Sequence, residues 1–318
     1  MKKWYLTGII TIVISVLLIT SNDYCSDDLL LLNEDLRLEK VILDEIDLNN
    51  ANLGKYKTYL LETLKLNDWN NDDITLVQHY LNDHRAEFRP SLLKVNTTHQ
   101  ETKEQYTHQK ASREVDRCME FWKDKGVIIS GISNYYGIPP EIVVSILKIE
   151  SDFGRFKGRE PVFNVFWNLS LSDHPEVLKE VLTEEAELRN EQKRRLLRRA
   201  RWGRSELSVL IDLIKEGSDD RLLWTNGSWA GAFGLPQFIP SSYRAYAQDG
   251  DGDGNKDLDN IDDAAASIAN YLKSNGWRGN VNRQKQKKVI MRYNISSHYA
   301  DCILALADSI NYRIKYPN

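Results

Sequence analysis

PPEIVVSILKIESDFG, residues 139–154, has the punctuation of a single helix with an acid on its inner face. Pro139 and Pro140 suit a first turn, where a missing N–H costs little, and Gly154 suits the end. Val143, Ile146, Leu147 and Glu150 fall at i, i+3, i+4 and i+7, which is one stripe of the helix. Glu141, Ser145, Lys148 and Asp152 form the opposite stripe, which the pattern assigns to solvent. A polar face was available, and Glu150 is not on it. Two readings of such an acid stand. It pairs with a buried arginine, or its carboxyl is kept partly dry so that its pKa rises and it donates a proton near neutral pH.

The chain around this helix has 318 residues, 42% hydrophobic and 28% charged, enough for two modest domains or one elaborated one. A net charge of −4 gives no case for a nucleic-acid partner, which asks for a basic excess. Lys2 and Lys3 precede the uncharged run WYLTGIITIVISVLLITSN (4–22). That run has the form of a secretory signal and is also about long enough to stay as a membrane anchor. Residues 1–26 are assigned to one of these two. The protein is expected to be exported to the periplasm or cell envelope, membrane-associated where the segment stays attached. Asn22, Asp23 and Tyr24 before Cys25 do not suit lipidation. Cys118 and Cys302 either pair as a disulfide or remain buried thiols.

Residues 27–113 read as a helical N-terminal region, with helical periodicity in YKTYLLETL and DDITLVQHYL and a polar linker, NTTHQETKEQYTHQKAS (96–112). This region is a spacer or a docking surface for cell-wall proteins. From residue 114 to 318 apolar helical patterns recur and strand-like alternation is scarce, so the expected fold is mainly α.

NGSWAGAFGLPQFIPSSYRAYA (226–247) is dense in glycine, serine and aromatics. Its small residues let backbone approach a ligand, and Trp229, Phe233 and Phe238 could offer flat faces to sugar rings. Gln237 can both donate and accept. A glycine-rich turn leading into the next helix explains the same pattern. In DGDGDGNKDLDNIDDA (249–264), Asp249, Asp251, Asp253 and Gly254 match positions 1, 3, 5 and 6 of an EF-hand loop, with Asn260 at position 12. Asp263 or Asp259 could close such a site, and Asn255 could add its carbonyl. Asp262 or Asp263 is then expected to cap a helix whose inner stripe includes Ala264, Ile268, Tyr271 and Leu272. MRYNISSHYADCILALA (291–307) clusters Tyr293, Asn294 and Tyr299 before a last apolar helix. The arginine-rich run 184–206 reads as a solvated helix face or as a grip on the carboxylates of an acidic polymer.

YGIPPEIVVSILKIESDFG, GSWAGAFGLPQFIPSSY, the aspartate loop, SIANYLKSNGW and YNISSHYA, in this order, resemble the lytic murein transglycosylase B family over roughly 136–305. The resemblance implies a lysozyme-like α domain that cleaves the β-1,4 bond between N-acetylmuramic acid and N-acetylglucosamine in peptidoglycan glycan strands, leaving a 1,6-anhydromuramoyl end. It puts Glu150 at the catalytic glutamate and Ser228, Gln237, Tyr271, Tyr293, Asn294 and Tyr299 along the glycan cleft, where Phe238 would join them. Arg198 and Arg199 resemble the family's arginine pair, here set apart by an added segment, 173–193. Asp249, Asp251, Asp253, Asn255 and Asp263 fall at the places of its calcium loop, so a structural Ca2+ is implied and no catalytic cofactor. Only RGNVNRQKQKKVI (278–290) follows Trp277, so the family's small β-rich insertion is expected to be missing and the cleft more open there.

Common glycosidases use two carboxylates. Here only Glu150 faces inward, because Asp152 lies about 200° further around the helix. One carboxyl must then serve as acid and afterwards as base, with the muramic C6 hydroxyl as the intramolecular nucleophile.

Overall fold

The computed structural model describes residues 53–98, 106, 112–182, 186–217 and 220–316, so the apolar run 4–22 lies outside the described residues. Helices α1 (Leu53–Leu66), α2 (Asn71–Leu81) and α3 (Pro90–Thr98) come first. Tyr56, Leu60 and Leu64 on α1 and Ile74, Val77 and Leu81 on α2 are buried at three- and four-residue spacing, the inward stripe of an amphipathic helix. They continue into α4 (Ser112–Tyr136) and α5 (Pro140–Ser151). A two-residue strand β1 (Glu160–Pro161) precedes α6 (Val162–Leu169), α7 (Pro175–Val181), α8 (Ala186–Lys215) and α9 (Arg221–Trp224). Strand β2 (Asn226–Gly227) pairs antiparallel with β1, Glu160 opposite Gly227 and Pro161 opposite Asn226. Then come α10 (Pro240–Tyr246), α11 (Ile261–Ser274), α12 (Arg283–Tyr293) and α13 (Ser297–Lys315). The fold is mainly α. Residues 275–282 lead directly from α11 into α12, so the small β-rich insertion is missing.

Helix α5 is the centre of the core, packed by α4, α11 and α13. Ile142, Val143, Val144, Ile146 and Leu147 are all buried, and together they contribute on the order of 10 kcal/mol of transfer free energy. Burial on every side also overrides the poor helix propensity of so many β-branched residues. The expected solvent stripe is not one. Ser145 (0% exposed), Lys148 (4%) and Asp152 (8%) are buried too. Ser145 satisfies its hydroxyl on the Glu141 carbonyl at 2.7 Å. The Lys148 ammonium sits 2.5 Å from Glu114 of α4 and 3.1 Å from Asp152, and Arg117 of α4 closes on Asp152 from the other side. An amphipathic pattern therefore conceals a buried ionic seam, whose partners lie some thirty-five residues upstream.

Buried residues of α1 to α3 belong to the same hydrophobic cluster as α5 and α6. Two asparagines of α6 fasten this region. Asn164 accepts the Glu87 N–H at 3.1 Å and donates to the Arg85 carbonyl at 2.9 Å. Asn168, fully buried, accepts the Arg89 N–H at 2.6 Å and donates to the Glu87 carbonyl at 2.8 Å. Each amide thus replaces the ladder partners that an extended segment would otherwise find in a sheet. Asn168→Leu leaves a part-buried N–H and a part-buried carbonyl unsatisfied, and is expected to cost about 2 kcal/mol. The midpoint of urea unfolding checks this, and an unchanged midpoint would show that the segment 85–89 is held by other contacts.

Candidate active site

Glu150 lies in the last turn of α5, half-buried. The Tyr299 hydroxyl donates to its Oε1 at 2.5 Å. Tyr299 is placed by the first turn of α13, where Ser296 caps the helix and accepts the Tyr299 N–H at 3.2 Å. The Tyr293 ring at the end of α12 lies nearly parallel to that of Tyr299, centroids 6.5 Å apart, and its hydroxyl donates to the Pro236 carbonyl at 2.5 Å. Tyr271 of α11 packs 4.8 Å from Tyr293 and donates to the Arg292 carbonyl at 2.5 Å. Burial, then the Glu150 carboxylate beside them, hold the phenols of Tyr293 and Tyr299 well above their ordinary pKa. Burial pushes Tyr271 up to about 12. All three are neutral donors across the ordinary working range of pH. The acid therefore stands at the end of a row of tyrosines, the two further ones held by main-chain carbonyls.

The glycine-rich segment forms a tight loop closed by isolated bridges, Gly227 with Phe233 and Phe233 with Phe238. Ser228 braces it by accepting the Ala230 and Ala232 N–H groups at 3.3 and 3.2 Å. Gln237 takes a left-handed backbone (φ 50°) and turns its amide onto the Gly234 carbonyl at 2.9 Å and that of Lys157 at 3.4 Å. Phe233 and Phe238 are each 2% exposed, a correction to the expectation that they face a sugar. Phe238 lies instead beneath Tyr271 and Tyr293, 5.8 Å from each ring. Tilted about 45° to both rings, it packs against the tyrosines that can do the contacting. Asn294 is the C-cap residue of α12, next to Tyr293.

Arg198 and Arg199 stand on α8, where the arginine run is a helix of thirty residues. With Arg195, Trp202 and Asn96 of α3 they line a shallow cavity of about 390 Å³. The Arg199 guanidinium covers the Trp202 ring at 5.0 Å, and burial and then Arg195 lower its pKa. Arg204 of the same run belongs to the fold, buried and paired with Asp173 at 2.7 Å.

In the aspartate loop, oxygens of Asp249, Asp251 and Asp263 lie within 4.8 Å of one another. Two oxygens bound to one calcium at about 2.4 Å cannot be further apart than this, so the three fit a common hard cation. The Asp253 carboxylate accepts the Asn255 N–H at 2.7 Å and is not one of that group. Asp249 is held below its ordinary pKa by the Gly254 N–H and other backbone donors, whereas burial raises Asp263. The cap of α11 is Asn260, not Asp262 or Asp263. The Asp263 carboxylate instead reaches across the loop to the Gly250 and Asp257 N–H groups at 2.7 and 2.6 Å. Cys118 and Cys302 are buried thiols not bonded to each other, and burial pushes the Cys118 thiol up to about 12.

Tyr106 is a site residue that sequence reasoning missed. Its ring meets Tyr299 edge-on at 6.0 Å, and the Cys302 thiol donates to its carbonyl at 3.6 Å. A lone aromatic within the polar run 96–112 was the available signal.

A family model described as the transglycosylase SLT domain matches residues 73–286. Membrane-bound lytic murein transglycosylase B of Escherichia coli strain K12 is 34% identical over 163 residues, 51% of this chain and 38% of that protein. The match thus spans well under half of that relative. Among solved structures, soluble lytic transglycosylase SltB1 from Pseudomonas aeruginosa aligns with a TM-score of 0.63 and 24% identity, over 82% of this chain and 99% of that one. Escherichia coli Slt35 in complex with calcium aligns with 0.60 and 22%, over 81% and 93%. SltB3 from Pseudomonas aeruginosa, in complex with NAG-anhNAM-pentapeptide, aligns with 0.62 and 18%, over 81% and 79%. At these identities the structural likeness speaks for the fold.

Proposed function

The chain belongs to the transglycosylase SLT domain family, and from that premise we propose that it is a lytic transglycosylase of peptidoglycan. Its substrate is the β-1,4 bond between N-acetylmuramic acid and N-acetylglucosamine, and its product ends in 1,6-anhydro-N-acetylmuramic acid. Protonated Glu150 gives its proton to the glycosidic oxygen as the C1–O bond breaks. The C6 hydroxyl of the same muramic residue then forms the new bond to C1, and the Glu150 carboxylate takes up the hydroxyl proton. No water is consumed. The observation that carries this reading is the half-buried Glu150 carboxyl with the Tyr299 hydroxyl on Oε1. That bond orients the carboxyl from the tyrosine side. The nearest acid along the helix, Asp152, is already taken by Lys148 and Arg117, which favours a single carboxyl in both steps. Neutral phenols of Tyr271 and Tyr293 line the approach. Ser228, Gln237 and Asn294 shape the cleft, Arg198 and Arg199 meet acidic parts of the polymer further along, and action in the cell envelope follows from this substrate.

The test is to incubate the full chain with purified peptidoglycan and weigh the released muropeptides. Products one water lighter than hydrolysis products are expected. Products of full hydrolytic mass would make the enzyme a muramidase, and no release at all would leave a wall-binding protein.

Calcium fits the aspartate loop, with Asp249, Asp251 and Asp263 as carboxylate ligands and Asp253 and Asn255 beside them. When bound, the ion would neutralise clustered charge and brace the loop ahead of α11. Free calcium at a hundred times its Kd is expected to stabilise the protein by about 2.7 kcal/mol, which raises Tm by several degrees. Calorimetry with calcium against chelator measures this, and Asp263→Asn should abolish the difference. Equal Tm values in both buffers would exclude calcium binding there.

A further inference from the structure

We propose that Asp152, held by Lys148 and Arg117, is a positioning residue for Glu150, an assignment that rests on the role given to Glu150 above. The chain leaves α5 through consecutive left-handed residues, Asp152 (φ 50°), Phe153 (φ 59°) and Gly154 (φ 94°). Glycine takes this conformation freely and aspartate tolerates it, but phenylalanine resists it. Such a turn persists only where its surroundings over-determine it. Two devices do so here. The Phe153 ring stacks on Phe121 of α4, centroids 4.1 Å apart and planes 8° from parallel, while its N–H reaches back to the Leu147 carbonyl at 3.1 Å. The Asp152 side chain, 7% exposed, is gripped by Lys148 at 3.1 Å and by Arg117, with Arg155 at its rim at 3.9 Å.

Lys148 and Asp152 stand two residues before and two after Glu150, so fixing both fixes the backbone that carries the acid. Glu114 completes the seam from α4, 2.5 Å from Lys148 and 3.6 Å from Arg117. Two carboxylates, Glu114 and Asp152, thus face the two cations Lys148 and Arg117. The turn is tied on its other flank as well, because Ser151 Oγ donates to the Leu235 carbonyl at 2.9 Å. The next carbonyl in that loop, Pro236, receives the Tyr293 hydroxyl. The acid and the tyrosine row are thus registered against each other through one short piece of loop.

Asp152→Ala removes the grip and places a residue that resists left-handed backbone at the turn. Asp152→Gly removes the same carboxylate but accepts the turn without strain. A displacement of about 1 Å at the reacting group can cost about 10²-fold. On peptidoglycan, Asp152→Ala is expected to lose kcat on that scale with KM within about twofold, and Asp152→Gly to recover roughly tenfold of it. Unchanged kcat in Asp152→Ala would overturn the proposal. If Asp152→Ala does not fold, Arg117→Met gives the same reading, with lower kcat at unchanged KM expected and unchanged kcat fatal. Should the native chain itself release nothing from peptidoglycan, the functional reading fails alone. The positioning claim is then read from a crystal structure of Asp152→Gly or Arg117→Met, in which the Tyr299–Glu150 hydrogen bond is expected to lengthen beyond 3.5 Å on the criterion for such bonds; an intact bond refutes it.

Discussion

Glu150→Gln is expected to lose about 10⁴-fold of kcat on peptidoglycan while folding and binding glycan as the native chain does. One proton carrier in an enzymatic step is worth about 10² to 10⁴-fold, and here a single carboxyl serves two steps. Glutamine keeps the size of the side chain and an oxygen for the Tyr299 hydroxyl at Oε1, so the packing around α5 is preserved. It has no proton to give at the first step and no base to offer at the second. Release of muropeptides gives the rate, co-sedimentation with cell-wall sacculi gives the binding, and thermal unfolding gives the stability. A variant that still releases anhydro-ended fragments at a tenth of the native rate would move the chemistry to another residue.

Gly158→Ala is expected to be the most damaging small substitution for stability, at about 4 kcal/mol or more. Gly158 has φ 89°, and a Cβ there would stand 1.9 Å from the Gly227 carbonyl oxygen and 2.4 Å from the Ser228 nitrogen. Both are main-chain atoms of the paired strand β2 and the loop after it, so no side chain can rotate out of the way. The pair β1–β2 would have to part, and the loop that carries the Leu235 and Pro236 carbonyls would shift with it. Tm should fall by ten degrees or so for a domain of this size. A fall under about two degrees would mean that the strand pair yields without disturbing the core.

Much of this architecture is legible in the sequence because it is written in local spacing. Pro139, Pro140 and the inward stripe specify α5 and turn Glu150 away from solvent, and the run of motifs through Tyr293 and Tyr299 supplies the residues that meet it. The features that could not be read are those whose cause lies far off in the chain. Ser145, Lys148 and Asp152 look like a wet face until Glu114 and Arg117 are brought against them by α4. Asn164 and Asn168 look like ordinary polar residues of a short helix, and only the arrival of residues 85–89 shows what their amides hold. Phe238 looks available to a sugar because composition does not reveal which ring of an aromatic cluster lies lowest. In the aspartate loop the alternation of acids is plain, yet the cap falls to Asn260, because Asp263 is drawn inward to the backbone of the loop.

The absence of any solvent face on the middle of α5 has a consequence for how this protein tolerates change. Along Ile142 to Lys148 every side chain is already enclosed, so a saturation scan of that stretch should register as loss of soluble protein rather than as loss of turnover. Glu150 lies just past that enclosed stretch, half-buried rather than sealed. Abundance and activity should therefore part company there, and a scan that records both would pick the acid out of its neighbours without any knowledge of the reaction.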